Sequence, residues 1–232
     1  IRVTPNDATE DGSASASENF SVDNVSPVSA GNLSLDSVSA TSISLDLGAA
    51  GSDTNLNEYK VYYKTGASGV SEGDSLHTTI SSGSYSEGGS TEITDLNPNS
   101  QYVANIWTYD DAGNKASASE IAAYTGASVP GAPTVTAVST TSLSTIIDQN
   151  SNPSNTTYAI AMGEQYVQGD GSLGLSAVWQ SYDSWGGAGG QTIIGLSANT
   201  QYSVKVKAKN QDGTETAFSE SSSKYTLAEA VT

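Results

Sequence analysis

The sequence predicts an all-β chain of tandem antiparallel β-sandwiches, and three observations support this fold class. The chain repeats itself at a spacing of one hundred residues. Short segments alternate apolar and polar residues, as half-buried strands do, and turn residues such as Gly, Asn and Asp separate them. No segment has the apolar spacing of an amphipathic helix. These patterns are together typical of small sandwiches joined end to end.

The repeat is the strongest of these observations because it spans a whole domain. A repeating unit of this length is a small domain and not one turn of a solenoid. The chain of 232 residues is therefore predicted to contain a terminal hairpin and two domains, with boundaries 1–24, 25–126 and 127–232. The recurring pairs include Leu96 and Leu196, Gln101-Tyr102 and Gln201-Tyr202, Gly113 and Gly213, and Ser119-Glu120 and Ser219-Glu220.

Composition restricts the classes of function. The chain has 25 acidic residues against 8 Lys and Arg, a net charge of −17. This charge repels phosphate backbones and anionic lipid surfaces, so no nucleic-acid partner is expected. No apolar run is long enough for membrane insertion. The absence of cysteine excludes disulfides and thiolate chemistry. An acidic surface rich in Ser, Thr, Asn and Gly fits an extracellular or cell-surface location.

Several motifs resemble fibronectin type III domains over roughly residues 25–230. Residues 129–133 look like the proline-marked start of the family's first strand, and 143–147 look like its second strand. The segments 96–102 and 196–202 resemble the corner before the family's strand F. The resemblance implies tyrosine corners at Tyr102 and Tyr202, in which the hydroxyl bonds to backbone upstream.

One position departs from the family pattern. The family usually carries a core Trp at the end of its second strand, and this chain has Leu47 and Ile147 there. We therefore expect the same fold with somewhat different core packing.

The linkers near 25–30 and 126–132 are short and contain proline, which predicts a semi-rigid rod.

The first 24 residues resemble the last hairpin of a preceding bacterial immunoglobulin-like domain. Residues 1–3 and 20–24 are predicted strands, and 6–12 are a predicted turn. An isolated hairpin is only marginally stable in water. The hairpin could belong to a cleaved domain that stays bound, fold back on the first copy, or donate its strands to another molecule. Strand donation is a non-closing contact, which builds filaments.

Catalysis has little support in the sequence. His77 is the only histidine, and no nucleophile lies near it in sequence to suggest a triad. The chain also lacks the His and Cys ligands of an ordinary zinc site. We interpret His77 as a surface residue of a loop and expect no enzymatic activity.

No cofactor is predicted, although acidic turns leave calcium open as the weaker alternative. Calcium prefers oxygen ligands of the kind these turns provide. Asp, Gly and Asn are also what a hairpin turn needs for its backbone angles, and we favour that interpretation for 110–114. The candidate ligands are Asp7, Glu10 and Asp11 in one group, and Asp110, Asp111 and Asn114 in the other.

Strand alternation predicts an aromatic patch on the first copy. If Tyr102 points into the core, every second residue after it also points inward, and Trp107 and Tyr109 point outward. Tyr62 points outward from the neighbouring strand. Tyr62, Trp107 and Tyr109 are therefore candidate contact residues for a partner. The alternative is that loops or the N-terminal hairpin cover them.

A glycine-rich segment of the second copy contains three further aromatic residues, Trp179, Tyr182 and Trp185. Their rings could stack on sugars and bind a glycan. They could instead fill one end of the sandwich, and we favour this second interpretation.

The leading functional hypothesis is a non-enzymatic structural or adhesive module of a large bacterial or archaeal protein that is extracellular or on the cell surface. It would act as a stalk, spacer or filament subunit whose partners are other copies or other cell-surface proteins. The alternative is a set of accessory domains, with possible polysaccharide binding, of a secreted polysaccharide-degrading enzyme. A cytokine-receptor-like role is disfavoured because the cysteines and Trp-Ser motif of those receptors are missing.

Overall fold

The computed structural model describes residues 23–230 in full, and before them only the backbone of β1 (Arg2–Val3) and β2 (Ser15–Ala16). The described residues form β-strands joined by turns and loops, and they contain no α-helix. Within them, no helix has the length and apolar character that crossing a membrane requires. Seventeen strands, β3 to β19, build two consecutive sandwiches, each from two antiparallel sheets.

The first sandwich has a three-stranded sheet and a five-stranded sheet. The smaller sheet has the order β3-β4-β7, and the larger has the order β10-β8-β5-β6, with β9 also paired to β8. The central pair is long, because β5 and β8 run antiparallel from Leu56↔Asp110 to Thr65↔Tyr102. The strands are β3 (Ser34–Val38), β4 (Ile43–Asp46), β5 (Leu56–Thr65), β6 (Ser75–Ser81), β7 (Ser90–Ile93), β8 (Gln101–Asp110), β9 (Lys115–Ser117) and β10 (Ile121–Tyr124).

The second sandwich has the same arrangement with a different middle section. Its smaller sheet has the order β11-β12-β17, and its larger sheet has the order β15-β14-β13-β18-β19, with β16 paired to β13. Three short strands therefore replace the long β6 of the first copy. The strands are β11 (Gly131–Ala137), β12 (Leu143–Asp148), β13 (Thr157–Met162), β14 (Gln165–Val167), β15 (Leu173–Gly174), β16 (Gln180–Ser181), β17 (Gln191–Ile193), β18 (Gln201–Lys209) and β19 (Ser222–Tyr225).

The alternating pattern of the strands produces the two cores. Ile43 and Leu45 on β4 are buried together with Leu47 just after it, while the residues between them are half-buried. On β8, the predicted inward residues Tyr102, Ala104, Ile106 and Thr108 are all buried. A half-buried strand needs this period of two, because successive side chains point to opposite faces.

An aromatic side chain from equivalent positions of the two copies packs into each core. Trp185 is 1% exposed, and its Nε1 donates a hydrogen bond of 2.8 Å to the backbone oxygen of Tyr158. Tyr85, one hundred residues earlier, packs on Tyr59 at 4.0 Å between ring centroids and donates to the oxygen of Gly48. Both rings follow the same turn, in which the backbone N–H of residue 85 or 185 donates to the oxygen of Ser81 or Ser181.

The two corners have the geometry that the family resemblance implies. The hydroxyl of Tyr102 accepts a hydrogen bond of 2.9 Å from the backbone N–H of Asn97. The hydroxyl of Tyr202 accepts an equal one from Ser197. Each bond fixes the connection between the two sheets of its sandwich.

Two expectations from the sequence differ from the structure. At the N-terminus, Arg2–Val3 pairs with Ser15–Ala16, so the ladder forms earlier in the chain than the strand expected at 20–24. Residues 20–22 lie outside the described part.

His77 lies on β6 and not in a loop. It is half-buried, and its Nε2 is 2.7 Å from the hydroxyl of Thr91. This contact links the two sheets of the first sandwich, and burial lowers the pKa of His77.

We predict that Trp185→Ala lowers the free energy of unfolding of the second sandwich by about 3–5 kcal/mol. Truncation removes a large buried side chain and leaves a cavity. Trp179→Ala is the control, because Trp179 lies outside the core, and its loss costs about 1 kcal/mol through weakened cation–π contacts. Urea unfolding of both variants measures the difference. Equal losses would contradict the assignment of Trp185 to the core.

Candidate functional site

The predicted aromatic patch of the first sandwich is covered and not exposed. Tyr62 and Tyr109 are only 7% and 9% exposed, and Trp107 is half-buried. The connection between β5 and β6 folds over this face, and its Val70 packs with Tyr62 and Val103. The expectation of an exposed patch is therefore wrong, and the alternative that a loop covers these rings describes the structure.

Carboxylates hold that covering loop in place. Glu120 accepts hydrogen bonds from the backbone N–H groups of Gly69 and Val70. Glu72 accepts one from the hydroxyl of Tyr109 at 2.6 Å and forms an ion pair with Lys115. The hydrogen bond from Lys115, and to a smaller extent the one from Tyr109, holds the pKa of Glu72 below its usual value. Burial raises the pKa of Tyr109.

The corresponding face of the second sandwich carries lysines. Lys205, Lys207 and Lys209 alternate along β18. Lys209 lies 4.2 Å from the centroid of the Trp179 ring, and Lys205 lies 4.2 Å from that of Phe218. We call this surface, made of the three lysines with Tyr166, Trp179 and Phe218, the lysine face.

The three glycan candidates of the sequence do not form one platform. Trp185 is in the core, and Tyr182 is half-buried and packs against the same core. Only Trp179 lies on an outer surface, next to Lys207 and Lys209. For Trp185 the predicted plug is therefore the arrangement found, and a sugar platform at that residue is excluded.

Three carboxylates meet at the end of the first sandwich nearest the N-terminus. Oxygens of Asp23, Asp53 and Asp110 all lie within 4.8 Å of one another. Asp110 ends β8, Asp53 lies in the loop before β5, and Asp23 precedes the sandwich. Carboxylates at this spacing are ligands of the kind that Ca²⁺ binds.

Hydrogen bonds preorganise this acidic cluster. Asn114 donates from its backbone and its side chain to the two carboxylate oxygens of Asp110, each at 2.8 Å. Asn55 donates to the carboxylate of Asp23. Burial raises the pKa of Asp110, but the bonds from Asn114 and from the backbone of Ala112 and Gly113 outweigh it, so the pKa is lowered.

The calcium candidates named from the sequence match this cluster only at Asp110. Asp111 is exposed and is not one of its members. Asp7, Glu10 and Asp11 lie outside the described residues. Asp23 and Asp53 were missed because they are distant from Asp110 in the chain, and only the fold brings the three together.

A second polar cluster lies at the junction between the two sandwiches. Asn99 is 0% exposed, with a left-handed backbone at φ 43°. Its side-chain amide donates to the hydroxyl of Thr156 at 2.9 Å and to the side-chain oxygen of Asn155 at 3.2 Å. Its side-chain oxygen accepts a bond of 2.8 Å from the backbone N–H of Gln211. All three partners belong to the second sandwich.

Two further asparagines complete the junction. Asn210 is buried, and its side-chain amide donates a hydrogen bond of 3.1 Å to the backbone oxygen of Thr125 in the first sandwich. Asn152 holds the linker, since it accepts a bond from the N–H of Ser128 and donates one to its oxygen, both at 2.8 Å. Ala127 packs against the core of the second sandwich. The linker is thus fixed along its length.

The repeat provides an internal comparison for Asn99. Asn199 has the same left-handed backbone, with φ 49°, at the same corner of the second sandwich. The backbone N–H of Asn99 donates to the oxygen of Gly126, and that of Asn199 donates to Leu227. Asn199 is exposed, whereas Asn99 is buried. The local corner is therefore shared, and burial of the amide is specific to the junction.

Comparison with solved structures identifies the fold. The chain is similar to a two-domain fibronectin type III segment from chicken tenascin, with a TM-score of 0.54 and 12% identity, over 85% of this chain and 99% of that one. A central fibronectin-III array of RIM-binding protein matches with a TM-score of 0.33 and 15% identity, over 90% of this chain and 72% of that one. No protein-family model and no curated protein matches the sequence.

The tenascin segment supports the fold class that the sequence predicts. The described chain is all-β, with tandem antiparallel sandwiches of the fibronectin type III kind. At 12% identity this similarity concerns the fold alone. The division at 1–24, 25–126 and 127–232 stays a prediction.

We predict that millimolar calcium raises the Tm of the first sandwich by about 4 °C or more, because binding to the folded state alone stabilises it. Asp53→Asn should abolish the shift, since it removes one carboxylate of the cluster. Asp95→Asn, which makes the same charge change in the connection between β7 and β8 of that sandwich, should retain it. Calorimetry in calcium and in chelator measures these shifts. An identical Tm in both solutions would remove calcium from the account.

Proposed function

We propose that this chain is a non-enzymatic structural module of an extracellular or cell-surface protein, acting as a stiff stalk or spacer. The junction around Asn99 is the observation that carries this proposal. A buried amide with three partners on the next sandwich resists bending, because any hinge motion would leave these groups unpaired. A spacer needs such a junction, whereas an isolated binding domain does not.

Surface charge also supports an exported spacer. A net charge of −17 keeps neighbouring molecules apart and favours solubility.

The one histidine, His77, has a structural role. It is hydrogen-bonded to Thr91, and its ring centroid lies 6.4 Å from that of Tyr63. Nothing about His77 favours catalysis over that role.

The alternative function, glycan binding in a secreted polysaccharide-degrading enzyme, has lost part of its basis. Two of its three aromatic residues belong to the core or pack against it. Trp179 remains on the surface, among lysines. The structural role is therefore the better-supported function of the chain.

We predict that Asn99→Ala uncouples the two sandwiches and broadens the distance distribution in small-angle X-ray scattering. Loss of the amide leaves its buried partners unpaired, which weakens the junction by about 1–3 kcal/mol. Asn199→Ala is the matched control. It carries the same cost of alanine in a left-handed backbone but changes no contact between the sandwiches.

Two results would contradict the spacer proposal. The first is an unmutated chain whose scattering already requires a wide range of angles between the sandwiches. The second is an Asn199→Ala variant that broadens the distribution as much as Asn99→Ala does.

Assembly through the N-terminal strands belongs to the same proposal. The ladder of Arg2–Val3 with Ser15–Ala16 is a two-stranded sheet that is separate from the other sheets of the described chain. A two-stranded sheet has open edges, and an open edge can pair with another molecule. Donation of these strands would link spacers into a filament.

We predict that residues 1–232 sediment as larger species when concentration rises, whereas residues 25–232 stay monomeric. The comparison isolates the hairpin because both chains keep the two sandwiches. If both chains stay monomeric at every concentration, the filament proposal is wrong and the spacer proposal stands alone.

A further inference from the structure

The lysine face holds three of the seven lysines of an acidic protein. Alternate residues of a strand point to the same side and recur about every 6.6–6.8 Å, so Lys205, Lys207 and Lys209 form a row. The neighbouring strand β13 places Ala161, Ala159 and Thr157 opposite them. The three lysines are half-buried, and the side chain of Lys207 is only 13% exposed, so the row presents its charge mainly through Lys205 and Lys209.

Aromatic rings border the row on both sides. Lys207 lies 5.2 Å from the centroid of Trp179, 5.3 Å from that of Phe218 and 5.5 Å from that of Tyr166. All three rings are half-buried, so part of each remains exposed. The surface therefore combines positive charge with aromatic and apolar area.

Within residues 23–230, two of these lysines have no carboxylate partner. Among the described residues, Lys60, Lys64 and Lys115 of the first sandwich each pair with a carboxylate, and Lys207 pairs with Glu215. Lys205 and Lys209 take part in none of these pairs. With 25 acidic residues against 8 basic ones, partners for them would be abundant in this composition. A row of like charges is instead left together, although like charges repel.

We propose that the lysine face binds an anionic polysaccharide. Its uronate or sulfate groups pair with Lys205 and Lys209, and its sugar rings lie against the exposed parts of Trp179 and Phe218. A polymer suits this row better than a small anion, because several charges along one chain reach successive lysines. The net charge of −17 disfavours polyanions, but exposed charges more than about 8 Å away are largely screened at physiological ionic strength, so the local lysine row decides. This binding would add an attachment function to the spacer.

The position of the row within its sheet argues against an acidic peptide. The row lies on the part of β18 that pairs with β13. On the other side of β18, Ser219 and Thr216 bond the backbone of Val206 and Ala208, so the backbone there is already paired on both sides. An extended peptide gains its main-chain hydrogen bonds at a sheet edge, which this site does not offer. A sugar chain keeps its hydroxyl groups in water and presents C–H faces to aromatic rings.

The same face of the first sandwich is built differently. There the equivalent positions of β8 carry Asn105, Trp107 and Tyr109 in place of the lysines. The β5–β6 connection covers them and is held by Glu72 and Glu120. In the second sandwich the corresponding face carries half-buried lysines beside half-buried aromatic rings.

The test titrates the full chain with polygalacturonate and with dextran sulfate, with neutral dextran as the blank, and measures binding by calorimetry at two ionic strengths. We expect both anionic polymers to bind and neutral dextran not to bind. Salt should weaken the binding, because screening acts on exposed charges. The variant Lys205→Gln/Lys209→Gln should lose about tenfold or more in affinity, since two charge-assisted contacts are removed.

Two controls keep the test specific. Lys60→Gln/Lys224→Gln makes the same change in net charge away from the row, because Lys224 lies opposite the inward Tyr202 in the register of β18 and β19. This variant should bind like the unmutated chain. Trp179→Leu should weaken the binding of the polysaccharides but not that of poly-L-glutamate, which has no sugar rings to lie against the indole. Near-ultraviolet circular dichroism confirms that each variant is folded.

Three results would overturn the proposal. The first is no binding of either anionic polysaccharide at low ionic strength. The second is an equal loss in the Lys60→Gln/Lys224→Gln control, which would mean that net charge alone drives binding. The third is binding of poly-L-glutamate as tight as that of the polysaccharides and equally independent of Trp179, which would assign the face to an acidic protein.

Discussion

The buried amide of Asn99 constrains how the two sandwiches are arranged. A side-chain amide with no exposure to water must find hydrogen-bond partners, because leaving it unpaired costs about 1–3 kcal/mol. Its partners come from two separate loops of the second sandwich, around 155–156 and 211. Satisfying all of them at once fixes direction as well as distance. The arrangement of the two copies therefore follows from polar pairing more than from apolar contact.

The two copies share their framework and differ where they face the solvent. The corner tyrosines, the aromatic core residues at 85 and 185 and the strand order recur at the spacing of the repeat. Their outer faces are opposite in character, because a loop covers one and lysines with aromatic rings line the other. This division suits a chain whose cores provide stiffness and whose second copy provides attachment.

Much of the fold could be predicted from the sequence because strands and corners leave local patterns. Alternation identified the inward residues of β8, and the corner motif located Tyr102 and Tyr202. The repeat also contained an unused signal, since Tyr85 and Trp185 occupy equivalent positions and both enter a core. That equivalence would have assigned Trp185 to the core without a structure.

The candidate sites were harder to predict because they depend on contacts between distant segments. Nothing local shows that a loop at 66–73 covers Tyr62, or that Asp23 and Asp53 meet Asp110. The same limit applies to Asn99, because it occupies the same position of the corner motif as Asn199, between a leucine and a Gln-Tyr pair. Only the presence of a following sandwich distinguishes the two residues.

Residual dipolar couplings of the unmutated chain in a weakly aligning medium test the rigid junction most directly. If Asn99 fixes the two sandwiches as described, one alignment tensor fits the couplings of residues 30–126 and 128–226 together. Two tensors of clearly different magnitude would mean that the sandwiches move independently, and that result would contradict the account.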